Sequence, residues 1–139
     1  MRVILDTNFV VSGGFFGGVP ARILAAWSTR NFVLVLSPSI LEEYRRVGHE
    51  LGRQRPQVGA AFESVLTLIA MNAMIVDAQP LTAPVSEDRD DDMFLAAAVA
   101  SQTPLIVSGD RDLLRVSGWR GIDVLTPRQF VDQHLDALS

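Results

Sequence analysis

The sequence predicts an α/β protein built on a central parallel sheet, and three observations carry that prediction. Short apolar runs without polar alternation, Val3 to Leu5, Phe32 to Leu36 and Leu105 to Ser108, are the pattern of strands covered on both faces. Segments with apolar residues at helical spacing separate them, and strands alternating with helices imply right-handed crossovers that bring every strand's carboxyl end to one edge. The 139 residues, 48% of them hydrophobic, suffice for one ordinary core, so residues 1–139 are expected to form a single domain.

The first strand stops at Asp6. A carboxylate at the carboxyl end of a buried strand, followed by the turn-forming Thr7 and Asn8, sits where open α/β sheets collect their ligands. A lone Asp would more simply cap a helix or start a turn; acidic residues at equivalent places later in the chain outweigh that explanation. Val10 to Gly18 surrounds Phe15 and Phe16 with glycines but lacks the lysine and spacing of a phosphate loop, so it reads as a flexible connection with two apolar anchors. Pro20 suits a first helical turn, and Ile23, Leu24 and Trp27 carry that helix to about Thr29.

After the second strand, Ser39 with Glu42 reads as a capping box opening a helix to about Arg53, with Ile40, Tyr44, Val47 and Leu51 as its core stripe. That phase turns Glu42 away and Glu43 toward the protein body. A further helix, about Gln57 to Met71, carries Phe62, Val65, Leu66 and Ile69, and a strand from Met74 to Asp77 follows. Ala78 to Asp88, with Pro80 and Pro84, reads as a loop of the length often found beside active sites.

Glu87, Asp88, Asp90, Asp91 and Asp92 then run into the apolar stretch from Met93 to Ala100. Acidic residues suit a helix amino terminus through its dipole, and most of this cluster reads as solvated. Asp92 is singled out because it shares a face with Leu95, Ala96 and Val99. Asp110 and Asp112 stand just past the fourth strand as Asp6 stands past the first. A last strand, Ile122 to Leu125, leads to Thr126, Pro127 and Gln129, the signature of a capped helix running to about Leu138.

The net charge of −4 and pI near 5.0 argue against holding nucleic acid by bulk positive charge, so any such role must use local patches or metal ions. All twelve basic residues are Arg, which excludes lysine-dependent chemistry such as P-loop phosphate binding or Schiff-base formation. The absence of Cys excludes a disulfide framework, a thiolate nucleophile and a Cys-based zinc site. With a strand at the amino terminus and no apolar run of membrane-spanning length, a soluble cytoplasmic protein is expected.

On this topology Asp6, Asp110 and Asp112 share one edge of the sheet, and Glu43 and Asp92 lie in first turns of helices at the same edge. Carboxylates brought together repel unless protonated or bridged by a cation. All-oxygen ligation selects Mg²⁺ or Mn²⁺ over zinc, and an open site of that kind typically acts on phosphate esters.

The ordered set Ile4-Leu5-Asp6-Thr7-Asn8, Ser39 through Glu43 and Tyr44, Asp92-Met93-Phe94-Leu95-Ala96-Ala97-Ala98, and Val107-Ser108-Gly109-Asp110-Arg111-Asp112-Leu113-Leu114 closely resembles the PIN-domain family. In pattern it is most similar to toxins of type II toxin-antitoxin pairs of the virulence-associated protein C type. The resemblance implies a three-layer α/β/α sandwich of flavodoxin-like or Rossmann-like topology and a metal-dependent endoribonuclease. It makes Asp6, Glu43, Asp92 and Asp110 the catalytic and metal-binding quartet, using one or two Mg²⁺ or Mn²⁺ ions, with Asn8, Ser108, Arg111 and Asp112 in support. Helical phase and the Asp-x-x-Leu-Ala-Ala match favour Asp92 over Asp91, and Asp110 is nearer the strand end than its alternative Asp112.

The implied chemistry is in-line attack of water on an RNA phosphodiester, leaving a 5′-phosphate and a 3′-hydroxyl, with Arg45, Arg46, Arg53, Arg55, Arg111 and Arg115 as candidates for backbone contacts. A cognate antitoxin and a homodimer are implied as partners, with Phe15, Phe16 and Trp119 available to the dimer. Phosphatase and receiver domains gather Asp at a similar edge but need a lysine, and no Gly-x-Ser-x-Gly elbow supports a serine hydrolase. His49 and His134 read as structural or solvated. The competing reading is a non-catalytic member of the fold that binds RNA or protein.

Overall fold

A computed structural model describes residues 1–10 and 18–135. Five short strands, β1 (Arg2–Leu5), β2 (Val33–Leu36), β3 (Met74–Ile75), β4 (Leu105–Val107) and β5 (Asp123–Leu125), pair in the order β3-β2-β1-β4-β5, and every pairing is parallel. The expected α/β class with a central parallel sheet is the one observed. Val3, Ile4, Leu5, Leu34, Val35, Leu36, Ile106 and Val107 are fully buried, as strands covered on both faces must be.

Around the sheet lie α1 (Gly18–Ser28), α2 (Pro38–Gln54), α3 (Pro56–Asn72), α4 (Asp92–Ser101) and the short α5 (Arg111–Leu114) and α6 (Pro127–Phe130). The chain order reverses at β1, which has β2 on one side and β4 on the other. That makes the gap between the carboxyl ends of β1 and β4 the topological switch point, the place where an open α/β sheet leaves a crevice. In register, Leu5 faces Val107, so Asp6 and Ser108 leave the sheet side by side.

Several boundaries differ from expectation for identifiable reasons. The cap of α2 is Ser37 rather than Ser39: its hydroxyl accepts from the Ile40 amide at 3.2 Å, and Pro38, whose missing N–H costs nothing there, takes the first helical position. The buried stripe of α2 is Ile40, Tyr44 and Gly48, with Val47 and Leu51 half-buried. Gly48 is required because a Cβ would lie 2.0 Å from the Phe62 ring of α3, and Gly52 meets Gly59 backbone to backbone in the same crossing. β3 ends at Ile75 instead of reaching Asp77, and α6 passes at Val131 into a π-type turn to Leu135. The Thr126/Gln129 capping box is formed. The glycine-rich stretch with Phe15 and Phe16, and the end of the last helix, lie outside the described residues.

Candidate metal centre

The site grows from the two strand ends at the switch point. Past Leu5 the backbone turns at once into a helix: the Val10 amide donates to the Asp6 carbonyl, and the Phe9 amide donates to Asp6 Oδ1 at 2.8 Å. Asp6 Oδ2 accepts from the Ser108 hydroxyl at 2.5 Å, across 102 residues of chain. The same Ser108 oxygen accepts from the Asp110 amide at 2.9 Å, so one fully buried hydroxyl joins both strand ends. Behind them the Tyr44 hydroxyl donates to the Leu5 carbonyl at 2.5 Å, tying α2 to the end of β1. Burial, with Asp6 nearby, pushes the Tyr44 hydroxyl far above its ordinary range, so it stays a donor.

Asp110 is the N-cap of α5, its Oδ1 accepting from the Asp112 amide at 2.8 Å. One ligand oxygen each from Asp88, Asp91 and Asp110 lie within 4.8 Å of one another. Asp91 is only 8% exposed, and its Oδ2 is buried without a hydrogen-bond partner. Burial, then the charges of Asp110, Asp88 and Asp6, push its carboxyl up to about 7. Asp6, 6% exposed, is also raised, first by burial, against the opposing hydrogen bonds from Ser108 and Phe9 and with Asp110 adding to the rise. Four carboxylates thus share one electrostatic field at the edge of the switch point.

The sequence-predicted quartet is only partly the set brought together. Asp6 and Asp110 are in the group, with Ser108 supporting both. Asp92 is not: its two carboxylate oxygens accept from the Val85 and Ser86 amides at 3.1 and 2.8 Å, tying down the preceding loop. The acid from this run that joins the group is Asp91, and Asp88 comes with it. Asp92 opens α4 half-buried on the side of Leu95 and Ala96, but Asp88 and Asp91 precede that helix, with residues 89–91 in a 3₁₀ turn to which helical phase does not apply. In such a turn residues three apart eclipse, which stacks Asp88 and Asp91 on one side. The Asp-x-x-Asp spacing, taken with Arg and Asp between, was the available signal.

Glu43 is turned inward as expected, with 25% of its side chain exposed, but its carboxylate receives the Arg46 guanidinium through two contacts of 2.6 and 3.1 Å. Asp112 faces Arg115 at 3.3 Å, and Asp110, not Asp112, is the one of the two whose oxygen lies with Asp88 and Asp91. Asn8 and Arg111 are exposed on the turns that follow β1 and β4. Trp119 is half-buried against the core with the Arg120 guanidinium 4.7 Å from its ring.

The donors fit a hard cation. They are carboxylates only, they lie close enough to share one ion, and a buried oxygen among them lacks a partner. Without a cation, protonation has to separate the charges, and the raised Asp91 carboxyl expresses that. Among the described residues no helix is long and apolar enough to cross a membrane.

A family model described as PIN domain matches residues 2–112. Among solved structures, a chain in the crystal structure of VapBC2 from Rickettsia felis bound to a DNA fragment from their promoter superposes with a TM-score of 0.59 at 13% identity, covering 91% of this chain and 98% of that one. No curated protein matches the sequence at a significant level.

Proposed function

The chain belongs to the PIN-domain family, and from that premise we propose that it is a metal-dependent endoribonuclease, the toxin of a type II toxin-antitoxin pair. The observation that carries this reading is the acidic group at the switch point: Asp6, Asp88, Asp91 and Asp110, buried or half-buried apart from Asp88, with an unpartnered oxygen among them. Asp88, Asp91 and Asp110 would hold Mg²⁺ or Mn²⁺, with Asp6 beside them. A divalent ion there supplies Lewis acidity, lowering the pKa of an attacking water and offsetting charge at phosphorus.

The chain's own residues set the geometry. Ser108 fixes the Asp6 and Asp110 strand ends relative to one another, and Tyr44 holds the backbone one residue before Asp6. Glu43 is the fourth acid of the expected set, released to the site when Arg46 turns to a phosphate. Arg46 is exposed and also feels Asp90, so it stands at the rim where an RNA backbone would pass, and exposed Arg111 lies on the β4 side. The domain, residues 1–139, would act in the cytoplasm with a cognate antitoxin, a pairing supported by the fold shared with a chain of the VapBC2 assembly, and as a homodimer.

The test is cleavage of structured RNA by the pure protein with Mg²⁺ or Mn²⁺, against Asp6→Asn and Asp91→Asn. Cleavage that needs the ion and falls at least a hundredfold in both variants supports the proposal. Equal activity in wild type and variants marks a contaminant and leaves the non-catalytic binding reading.

A further inference from the structure

Beside the acidic group, but separate from it, the loop after β3 leans over the start of α4 and leaves a cleft of about 420 Å³. Its walls are Pro80, Leu81, Pro84, Met93 and Ala96, and its polar groups are the Asp92 carboxylate and the hydroxyls of Ser39 and Thr82, with Ser37 beneath. The volume is that of a small-ligand site, roughly 300–1,000 Å³. Among the described residues no cation lines it, so a phosphate or carboxylate would meet only hydroxyl donors beside the like charge of Asp92. A carboxylate is acceptor-only, and Asp92 lines the cleft among apolar residues, so an occupant with N–H donors on an apolar body complements it. The Val85 and Ser86 amides fix the Asp92 carboxylate and occupy one acceptor position on each oxygen, leaving a second on each.

Resting on the nuclease reading above, we propose that this cleft takes one unpaired guanine of the RNA substrate, its N1–H and N2–H₂ donated side by side to the two oxygens of Asp92. Guanine is the base that presents two adjacent donors on one edge, and unstacked bases of single-stranded loops are read on that edge between apolar surfaces. Asp91 and Asp92 are consecutive, so a base held here leaves its backbone next to the acidic group. Asp92 is thereby a specificity residue, which explains an inward carboxylate that takes no part in the cation group.

The experiment titrates the metal-free ¹⁵N-labelled protein with GMP, AMP, CMP and UMP, whose shared phosphate cancels, and with N-acetyl-arginine amide. GMP should shift the amides of Leu81 to Ala83 and Met93 to Ala96 and bind at least tenfold tighter than the other three. Asp92→Asn should remove that preference, and Ala83→Trp, an exposed position that fills the cleft, should abolish binding with the rest of the spectrum unchanged. Equal shifts by all four nucleotides, shifts outside these segments, or binding that survives Ala83→Trp would overturn the assignment. Arginine amide binding where GMP does not would overturn it too, marking the cleft as a pocket for a basic side chain of a protein partner. The paired cleavage assay separates the two claims: RNA cut with Mn²⁺ but no GMP preference removes the guanine alone, whereas GMP held in the cleft with no RNA cut keeps the base site and removes the nuclease.

Discussion

Ser108 and Asp91 show how much of this site is decided by single polar groups. Ser108 is fully buried and makes two hydrogen bonds that link β1 to the loop after β4. Ser108→Ala would leave Asp6 Oδ2 and the Asp110 amide without that partner, and the expected loss is about 1–3 kcal/mol by urea denaturation. Asp91 contributes in the opposite sense. Its carboxyl titrates at about 7 in the fold against an ordinary 3.8, so between those values the folded chain keeps a proton the unfolded chain has released. The stability this gives is fully present below about pH 4 and is lost as pH rises through 7, and Asp6, also raised, adds with the same sign. In chelator the melting temperature should therefore fall between pH 5 and pH 8, and Asp91→Asn should flatten that fall; an unchanged slope in the variant would remove Asp91 as its source.

At the level of elements, the α2/α3 hairpin is the most exacting piece of packing. Gly48 and the Gly52/Gly59 contact let the two helices approach closely, and Phe62 fills the space that a side chain at 48 would need. Gly48→Ala should cost about 1–3 kcal/mol through overpacking, read as a lower denaturation midpoint. Ser37→Ala should cost about 0.5–2 kcal/mol, whereas Ser39→Ala, on the exposed first turn, should cost little. The two predictions separate the observed cap from the one suggested by the Ser39/Glu42 spacing.

These elements also show what a linear reading reaches. Apolar runs located β1, β2 and β4, the stripe of Ile40, Tyr44, Val47 and Leu51 located α2, and Phe62, Val65, Leu66 and Ile69 located α3, because burial imposes a period on composition. Asp6 and Asp110 were legible since each ends a strand. Asp91 was not, because it precedes α4 in a 3₁₀ turn at 89–91, where the α-helical period used to choose between Asp91 and Asp92 does not hold. The i,i+3 spacing of Glu43 and Arg46 did signal their pairing, whereas no spacing could reveal that Asp92 would hold the loop at Val85 and Ser86.

For the molecule as a whole, the acidic group sets a balance between apo stability and ion affinity. Like charges held together weaken the empty fold, and a cation that binds only the folded state restores it by mass action, about 2.7 kcal/mol at a hundred times its dissociation constant. Mn²⁺ should raise the melting temperature at pH 8 and chelator should reverse the rise; Asp110→Asn should blunt it. Because the ion competes with the proton on Asp91, the rise should be smaller at pH 5.

The pairing of β1 with β4 has a further consequence in time. Asp6 is made 102 residues before its partner Ser108, and Asp110 follows Ser108. A nascent chain therefore has no assembled acidic group until Asp110 has been made, and a message cut short before that codon yields a chain without it. Order of manufacture alone withholds the cation site until the strand that carries Ser108 and Asp110 has emerged.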